Sequence, residues 1–360
     1  MNIAIDETPL TDKSITHRVR GTGFYIENLK KSLLQYFSSN KYIFFNRGDL
    51  LPKDIEVVHY PYFEPFFLTL PFRKTHKTVV TVHDLTPFVF PDHFPTGIKG
   101  ALKWALQKNL LKAVDAIITD SQSSKDDIIR YTGIPGAKIT VVYLAAGEEF
   151  KRIQNSLLPE LRARAEFRIQ NLRRRYGLPE KFALYVGDVT WNKNLPRLVE
   201  AIKKTNIPLV MVGKALGETN FDESNPWNKD LSTVQQLVKN NKQFILTGFV
   251  NDVDLICLYN MATVFAMPSI YEGFGLPILE AMQCGCPVVT AKEGSLPEVA
   301  GNAALYVDAY DISSIANGIK KVFFDKDLQN SFSKKGFEQA KKFSWKKTSS
   351  QTIEIYEKVF

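Results

Sequence analysis

The chain has 360 residues, 44% of them hydrophobic and 23% charged, which is enough apolar material for two ordinary cores and too much for a disordered chain. Its formal net charge of +8 favours anionic partners such as a nucleotide diphosphate, a lipid phosphate or an acidic membrane face. Without a helix-turn-helix, zinc-finger or ribonucleoprotein pattern, nucleic acid is not an expected partner.

Asn2 to Asp6 reads as a short opening strand. A polar loop with Arg18 and Arg20 follows, and Gly21-Thr22-Gly23 opens a helix whose apolar positions are Tyr25, Leu29, Leu33 and Leu34. This is the place for a phosphate loop, but a simple tight turn fits equally. The third glycine of a dinucleotide fingerprint would fall at Ile26, and two glycines alone are weak. Ile55 to Tyr60 and Thr78 to Val82 are β-branched runs of strand length, the second ending in His83-Asp84. Side chains at the carboxyl end of a strand in an open α/β sheet reach the ligand crevice. His83 could there donate to a substrate hydroxyl without a net charge, while Asp84 fixes the loop or the imidazole. Phe88, Phe90 and Phe94 read as core aromatics first and as an acceptor surface second. A helical pattern through Trp104, Leu106, Leu110 and Leu111 leads to a strand from Ala116 to Thr119 that ends in Asp120-Ser121. A helix N-capped by Ser124, with Asp127 at capping-box distance, and a strand from Ile139 to Tyr143 complete this half. Strands alternating with helices predict a parallel, doubly wound sheet.

From Lys151 to Arg175 the composition shifts. Arg162, Arg164, Arg168, Arg173, Arg174 and Arg175 share a helix-compatible stretch with Leu161, Phe167, Ile169 and Leu172. This marks a domain boundary. A solvated linker helix is the plain reading, and contact with an anionic membrane is the sharper one. Phe182 to Val186 begins a second sheet and ends in Gly187-Asp188; Leu209 to Val212 follows, with Gly213-Lys214 after it. Gly217 to Asp230 reads as a long polar loop and Phe244 to Thr247 as a strand. Asp252 and Asp254 precede a helical pattern of Leu255, Leu258 and Tyr259, so they read as a cap with first-turn acids, and no metal is expected. Cys257, Cys284 and Cys286 are an odd three without redox or zinc spacing and read as small packing residues. No signal-peptide pattern opens the chain and no stretch nears the ~18 apolar residues of a spanning helix, so the chain reads as cytoplasmic.

The stretch from Ser269 to Val289 organises the rest. An apolar run feeds a loop with Glu272, Gly273 and Gly275, and then a helical pattern of Ile278, Leu279 and Met282 carrying Glu280. Glycines let backbone NH groups approach a ligand, and the unpaired NH groups of a first helical turn favour an anion such as phosphate. Two carboxylates on either side of that turn can each accept hydroxyl hydrogen bonds, which suggests a nucleotide-sugar.

Tyr271-Glu272-Gly273-Phe274-Gly275-Leu276-Pro277, Glu280-Ala281-Met282, Gly285 and Pro287-Val288-Val289 closely resemble the signature of the family-4 retaining glycosyltransferases. In that family two glutamates separated by seven residues contact the donor sugar and the nucleotide ribose. The resemblance implies those roles for Glu272 and Glu280, with Phe274, Gly275 and Leu276 offering backbone NH groups. It extends through residues 81–94, 120–135, 185–202, 294–298 and 301–311. It implies that His83 meets the donor sugar, that Lys193 binds the donor diphosphate, and that the loop of Gly21, Thr22 and Gly23 faces the phosphates. One residue departs from the pattern: Asn192 stands where a basic residue usually precedes the lysine. The phosphate clamp is then completed elsewhere, with Lys214 and Arg20 as candidates.

The resemblance implies the GT-B architecture, an α/β fold of two Rossmann-like, doubly wound parallel-sheet domains with the active site between them. Residues 1–170 are expected to bind acceptor, 171–344 to bind nucleotide-sugar, and 345–360 to form a helix crossing back to the first domain. The expected enzyme resembles bacterial mannosyltransferases of surface-polysaccharide assembly. It would transfer a hexose with retention, from GDP-mannose as the favoured donor, to a glycan or lipid-linked saccharide, with no metal or cofactor. Its expected catalytic residues are His83, Lys193 and Glu272. Gly21, Thr22, Gly23, Gly187, Lys214, Gly273, Phe274, Gly275, Leu276 and Glu280 are expected to bind donor. It would work in the cytoplasm, with peripheral contact at the anionic inner membrane face. A sugar-nucleotide epimerase of the same fold and a non-catalytic nucleotide-sugar-binding protein are the alternatives.

Overall fold

The computed structural model describes residues 1–11, 19–153, 159–218 and 220–360. By its contacts the chain divides into two compact units, Met1–Ala145 with Phe343–Phe360, and Ala146–Lys342.

The first unit is built on β1 (Asn2–Asp6), β2 (Lys41–Phe45), β3 (Val57–Tyr60), β4 (Lys77–Thr81), β5 (Ala116–Thr119) and β6 (Ile139–Val141), in the order β2-β1-β3-β4-β5-β6. Every neighbouring pair is parallel, and β5 is buried along its whole length, as expected for a strand covered on both faces. The helices of this stretch are α1 (Thr8–Thr11), α2 (Val19–Tyr36), α3 (Thr86–Val89), α4 (Gly97–Ala113) and α5 (Gln122–Thr132). The cap of α5 is Ser121, not Ser124: Ser121 is extended and its side chain accepts from the Ser124 amide at 3.0 Å. The hydroxyl that leaves the strand satisfies the first free NH, and Ser124 is already helical. Phe88 and Trp104 pack together at 4.2 Å between ring centroids and Phe94 is buried, so those aromatics serve the core. Leu106 is the exception to the helical pattern of α4, because it faces solvent.

The second unit has β7 (Ala183–Val186), β8 (Leu209–Val212), β9 (Phe244–Gly248), β10 (Val264–Met267), β11 (Val288–Ala291) and β12 (Ala304–Val307), in the order β12-β11-β10-β7-β8-β9. All pairs are again parallel. Its helices are α6 (Pro159–Tyr176), α7 (Leu195–Lys203), α8 (Lys229–Val238), α9 (Asp252–Met261), α10 (Leu276–Gln283), α11 (Leu296–Ala300), α12 (Ile312–Phe324) and α13 (Lys326–Ala340). Strands β7, β8, β10 and β11 are uniformly buried. Helix α7 buries Leu195, Leu198, Val199 and Ile202 against them, one face at helical spacing. Arg168 on α6 donates to Asp254 on α9 at 2.8 Å, and Asn251 caps α9, so the acid pair there serves as first-turn and ion-pair chemistry. All three cysteines are free and buried.

The last helix, α14 (Trp345–Val359), is capped by Ser344 and belongs to the first unit. Ser32 on α2 donates to the Trp345 carbonyl at 2.9 Å, and Thr348 donates to the Tyr143 carbonyl at 2.7 Å. Tyr356 reaches His59 Nδ1 at 2.6 Å, and His59 Nε2 in turn meets Thr81 Oγ1 at 2.8 Å. No helix among the described residues is long and apolar enough to cross a membrane.

Candidate active site

The strand order of the second sheet reverses between β10 and β7. Such a switch point leaves a crevice beyond the carboxyl ends of the two strands, where ligands of open α/β sheets bind. The chain leaving β7 forms a short 3-10 turn, Trp191–Lys193, and the chain leaving β10 forms the loop with Glu272. Their side chains meet: Lys193 Nζ donates to both carboxylate oxygens of Glu272, at 2.9 and 2.6 Å. The pair is mostly buried, with 24% of the lysine side chain and 9% of the glutamate exposed.

Asn192 holds this pair in place. Its side-chain amide donates to the Tyr271 carbonyl at 2.9 Å, its side-chain oxygen accepts from Thr190 Oγ1 at 2.7 Å, and its carbonyl accepts from the Ile270 amide at 2.7 Å. The asparagine therefore ties the β7 turn to the β10 loop. Asn194, in the left-handed region at φ 61°, donates to the Pro268 and Ala309 carbonyls at 2.9 and 2.7 Å. From the other side, Ser295 Oγ lies 2.9 Å from the Glu272 carbonyl and 2.8 Å from that of Phe274, donating toward both. Gly294, at φ +57°, comes so close that an added Cβ would sit 3.0 Å from the Glu272 carbonyl oxygen.

Gly273, Phe274 and Gly275 complete the loop, and Gly275 at φ 102° is the N-cap of α10, which begins at Leu276 and has no side-chain cap. Within the first turn Pro277 carries no NH and the Ile278 amide donates to the Gly275 carbonyl at 3.0 Å, so what the turn offers an anion is chiefly the positive end of the helix dipole. Glu280 lies farther along α10, where its carboxylate accepts from Tyr259 Oη at 2.8 Å. Gly187 directly follows β7, its amide donating to the Val212 carbonyl at 3.0 Å. Beside it Tyr185 Oη donates to the Asp188 carbonyl at 2.8 Å. Burial first, and then the charges of Glu272 and Asp188, push that phenol well above its ordinary pKa. Lys214 is exposed just beyond β8.

The other expected residues belong to the first unit. Gly21, Thr22 and Gly23 lie inside the first turns of α2, which begins at Val19; Arg18 and the side chain of Arg20 lie outside the described residues. His83 follows β4. Its Nδ1 is 2.6 Å from Asp120 Oδ2 at the end of β5, and its ring meets Tyr25 edge-on at 4.9 Å between centroids. Burial alone would lower the His83 pKa, but the charge and hydrogen bond of Asp120, with Asp84 behind them, raise it above 6.5. Asp84 fixes the loop, accepting from the Thr86 amide at 2.9 Å. Asp120 is the group that holds the imidazole, and it was missed because it lies in the next βα unit.

Among the described residues no group of three or more histidine, cysteine or acidic side chains is placed to hold a metal ion. The set in the second unit can neutralise and orient an anionic, polyhydroxylated ligand: one ammonium, one helix N-terminus and two carboxylates.

A family model described as "Glycosyl transferases group 1" matches residues 169–339, and one described as "Glycosyltransferase Family 4" matches residues 7–146. The chain is 33% identical over 311 residues to the O-antigen chain mannosyltransferase B of Escherichia coli, covering 82% of this chain and 74% of that one. It is 32% identical over 285 residues to the serotype-specific mannosyltransferase WbdA of Escherichia coli, covering 77% of this chain but only 33% of that longer protein. Among solved structures, sucrose-phosphate synthase from Thermosynechococcus elongatus superposes with a TM-score of 0.76 at 18% identity, over 100% of this chain and 99% of that one. Anabaena HepE in complex with UDP-glucose superposes at 0.71 and 18% identity, over 99% and 100%. The two parallel sheets, the signature loop at the switch point and these matches together make the chain a member of the family-4 glycosyltransferases of the GT-B fold.

Proposed function

We propose that this glycosyltransferase is a cytoplasmic, retaining mannosyltransferase. It would move mannose from a nucleotide-diphosphate donor, GDP-mannose favoured, to a hydroxyl of a growing glycan or lipid-linked saccharide, without a metal. The observation that carries the reading is the buried Lys193–Glu272 pair at the switch point, ahead of an uncapped helix that bears Glu280. The names of the mannosyltransferase relatives support the choice of sugar.

In this mechanism breaking the anomeric bond loads negative charge on the β-phosphate. The Lys193 ammonium and the first turn of α10 stabilise that charge where it develops. Glu272 holds the sugar and balances its oxocarbenium-like charge without acting as nucleophile, and Glu280 accepts hydrogen bonds from the ribose. A phosphate oxygen takes the acceptor proton as attack occurs on the face the diphosphate leaves. His83 donates to a sugar hydroxyl. With its Nδ1–H committed to Asp120, only a protonated ring has Nε2–H to donate, so this role needs the imidazolium. Gly21, Thr22, Gly23, Gly187 and Lys214 are proposed donor contacts.

A thermal-shift panel of nucleotide-sugars tests the donor. A ligand at a hundred times its dissociation constant stabilises the native state by about 2.7 kcal/mol; stabilisation by GDP-mannose and not by UDP-glucose is expected. Proton NMR of the product with mannose oligosaccharide acceptors tests the stereochemistry. A β-linked product from the α-configured donor would refute retention.

A further inference from the structure

Helix α4 carries apolar side chains on two sides. Trp104, Leu110 and Leu111 point into the first core. Ile98, Leu102 and Leu106 recur at every fourth position and are 83%, 68% and 37% exposed, with Ala101 and Ala105 exposed between them. Residues three and four apart share a helix face, so these five form an uncharged stripe roughly 12 Å long at 1.5 Å per residue. The loop ahead of β4 extends it. Gln107 donates to the Phe67 carbonyl and, at 2.7 Å, to Thr69 Oγ1, which fixes the loop on α4. Phe67 is half exposed beside the helix, with the Lys103 ammonium 5.3 Å from its ring centroid.

The charge on the helix itself has one sign. Residues 97–114 contain Lys99, Lys103, Lys108 and Lys112 and no acid, and the next acid, Asp115, is paired with Lys74 at 2.6 Å. Lys108 lies over the Trp104 ring at 5.9 Å, so both inner lysines lay aliphatic stems on apolar surface, the arrangement of side chains that reach up to a headgroup layer. The apolar stripe and its lysine border match an interfacial helix whose apolar face enters the headgroup boundary while lysines meet anionic lipid. The stripe runs along one convex helix, which suits a planar surface; a protein partner would have to supply both a groove and an acidic rim. Four of the six arginines of α6 are engaged within their own unit instead. Arg162 bonds Glu166 at 2.8 Å, Arg168 bonds Asp254 at 2.8 Å, Arg173 bonds the Pro179 carbonyl at 2.7 Å and Arg174 bonds Asn171 at 2.7 Å.

We propose that Ile98, Leu102, Leu106 and Phe67, bordered by Lys99 and Lys103, seat this protein on an anionic lipid bilayer. The proposal does not depend on the identity of the donor. The test is flotation of the full chain with vesicles of phosphatidylcholine alone or mixed with phosphatidylglycerol. It compares wild type, Leu102→Asp, Lys99→Glu with Lys103→Glu, and Arg164→Glu with Arg175→Glu on α6 as control. All substituted side chains are at the surface, and thermal melting checks that each variant folds. Wild type is expected to float with the anionic vesicles and not the neutral ones, and Leu102→Asp to stay at the bottom. The double lysine variant should partition more weakly by roughly fivefold or more for each lysine reversed, and the α6 control should behave as wild type. Equal recovery with both vesicle types, no recovery with either, or α4 variants that float like wild type would overturn the proposal. So would sedimentation velocity showing that the stripe joins two copies of the chain and is unavailable to lipid.

Discussion

The Asn192 side-chain amide donates to the Tyr271 carbonyl at 2.9 Å, and this bond joins the residue before Lys193 to the residue before Glu272. A neutral amide suits the position because it is buried and its oxygen also has a donor, Thr190 Oγ1. A guanidinium in the same space would need its charge desolvated.

Asn192→Ala removes the buried amide that donates to the Tyr271 carbonyl, and losing that buried hydrogen bond costs about 1 to 3 kcal/mol. Thermal or denaturant unfolding should show that loss, together with weaker donor binding because the Glu272 loop is freed. Asn192→Arg should destabilise as well and should not tighten binding of the donor; a variant that melts as wild type and binds donor better would return this position to the phosphate clamp.

Gly294→Ala sets a Cβ at φ +57° and 3.0 Å from the Glu272 carbonyl oxygen. Both the backbone region and the contact are unfavourable, so a loss on the order of 1 kcal/mol or more is expected. Unchanged stability with unchanged donor affinity would show that the Glu272 loop can move aside freely.

Asp120→Asn removes the charge that keeps the His83 proton. Wild-type His83 has a pKa raised above 6.5, because Asp120 and Asp84 outweigh burial; with the amide in place, burial should win and carry it below that value. Nitrogen-15 NMR titration of the histidines reads this directly. In a transfer assay the fall in rate as pH rises through the His83 pKa should move to lower pH in the variant. An unshifted titration would mean that Asp120 does not set the charge of the ring.

His59 is buried between Tyr356 and Thr81, and burial, with the nearby charge of His83 adding to it, lowers its pKa from 6.5 to about 3. The unfolded chain therefore binds a proton between those values that the native state refuses, so stability is full above pH 6.5 and falls as pH drops toward 3. The slope approaches about 1.4 kcal/mol per pH unit. His59→Gln should be less stable at neutral pH but lose less on acidification, as measured by melting temperature against pH; parallel curves would place the acid sensitivity elsewhere.

Much of this was legible in the sequence for physical reasons. Buried runs such as Val264–Met267 and Val288–Ala291 declare parallel central strands, and the loop glycines with their two glutamates mark the signature. The half-buried edge strand Lys41–Phe45 went unread because it lacks the continuous apolar run of a central strand. Helices α12 and α13 also went unread, since they fall outside the motifs. Asp120 as the partner of His83, Asn192 as a clip and Ser295 beneath the Glu272 loop were missed for a different reason. Each acts through a contact between neighbouring strand ends, and those contacts exist only once the strand order is known. The outward stripe of α4 was hidden because its apolar residues lie all round the helix, and only the fold says which side is covered.

The central claim is that Lys193 and Glu272 form the place where an activated sugar loses its diphosphate. The most direct measurement is the turnover of Lys193→Ala with donor and acceptor both saturating, beside a calorimetric titration of the same variant with donor. The account predicts that turnover falls by 10²–10³, about 2.7 to 4 kcal/mol, as when one donor to a developing oxyanion is removed, in a protein that remains folded. Unchanged turnover in the variant would contradict it.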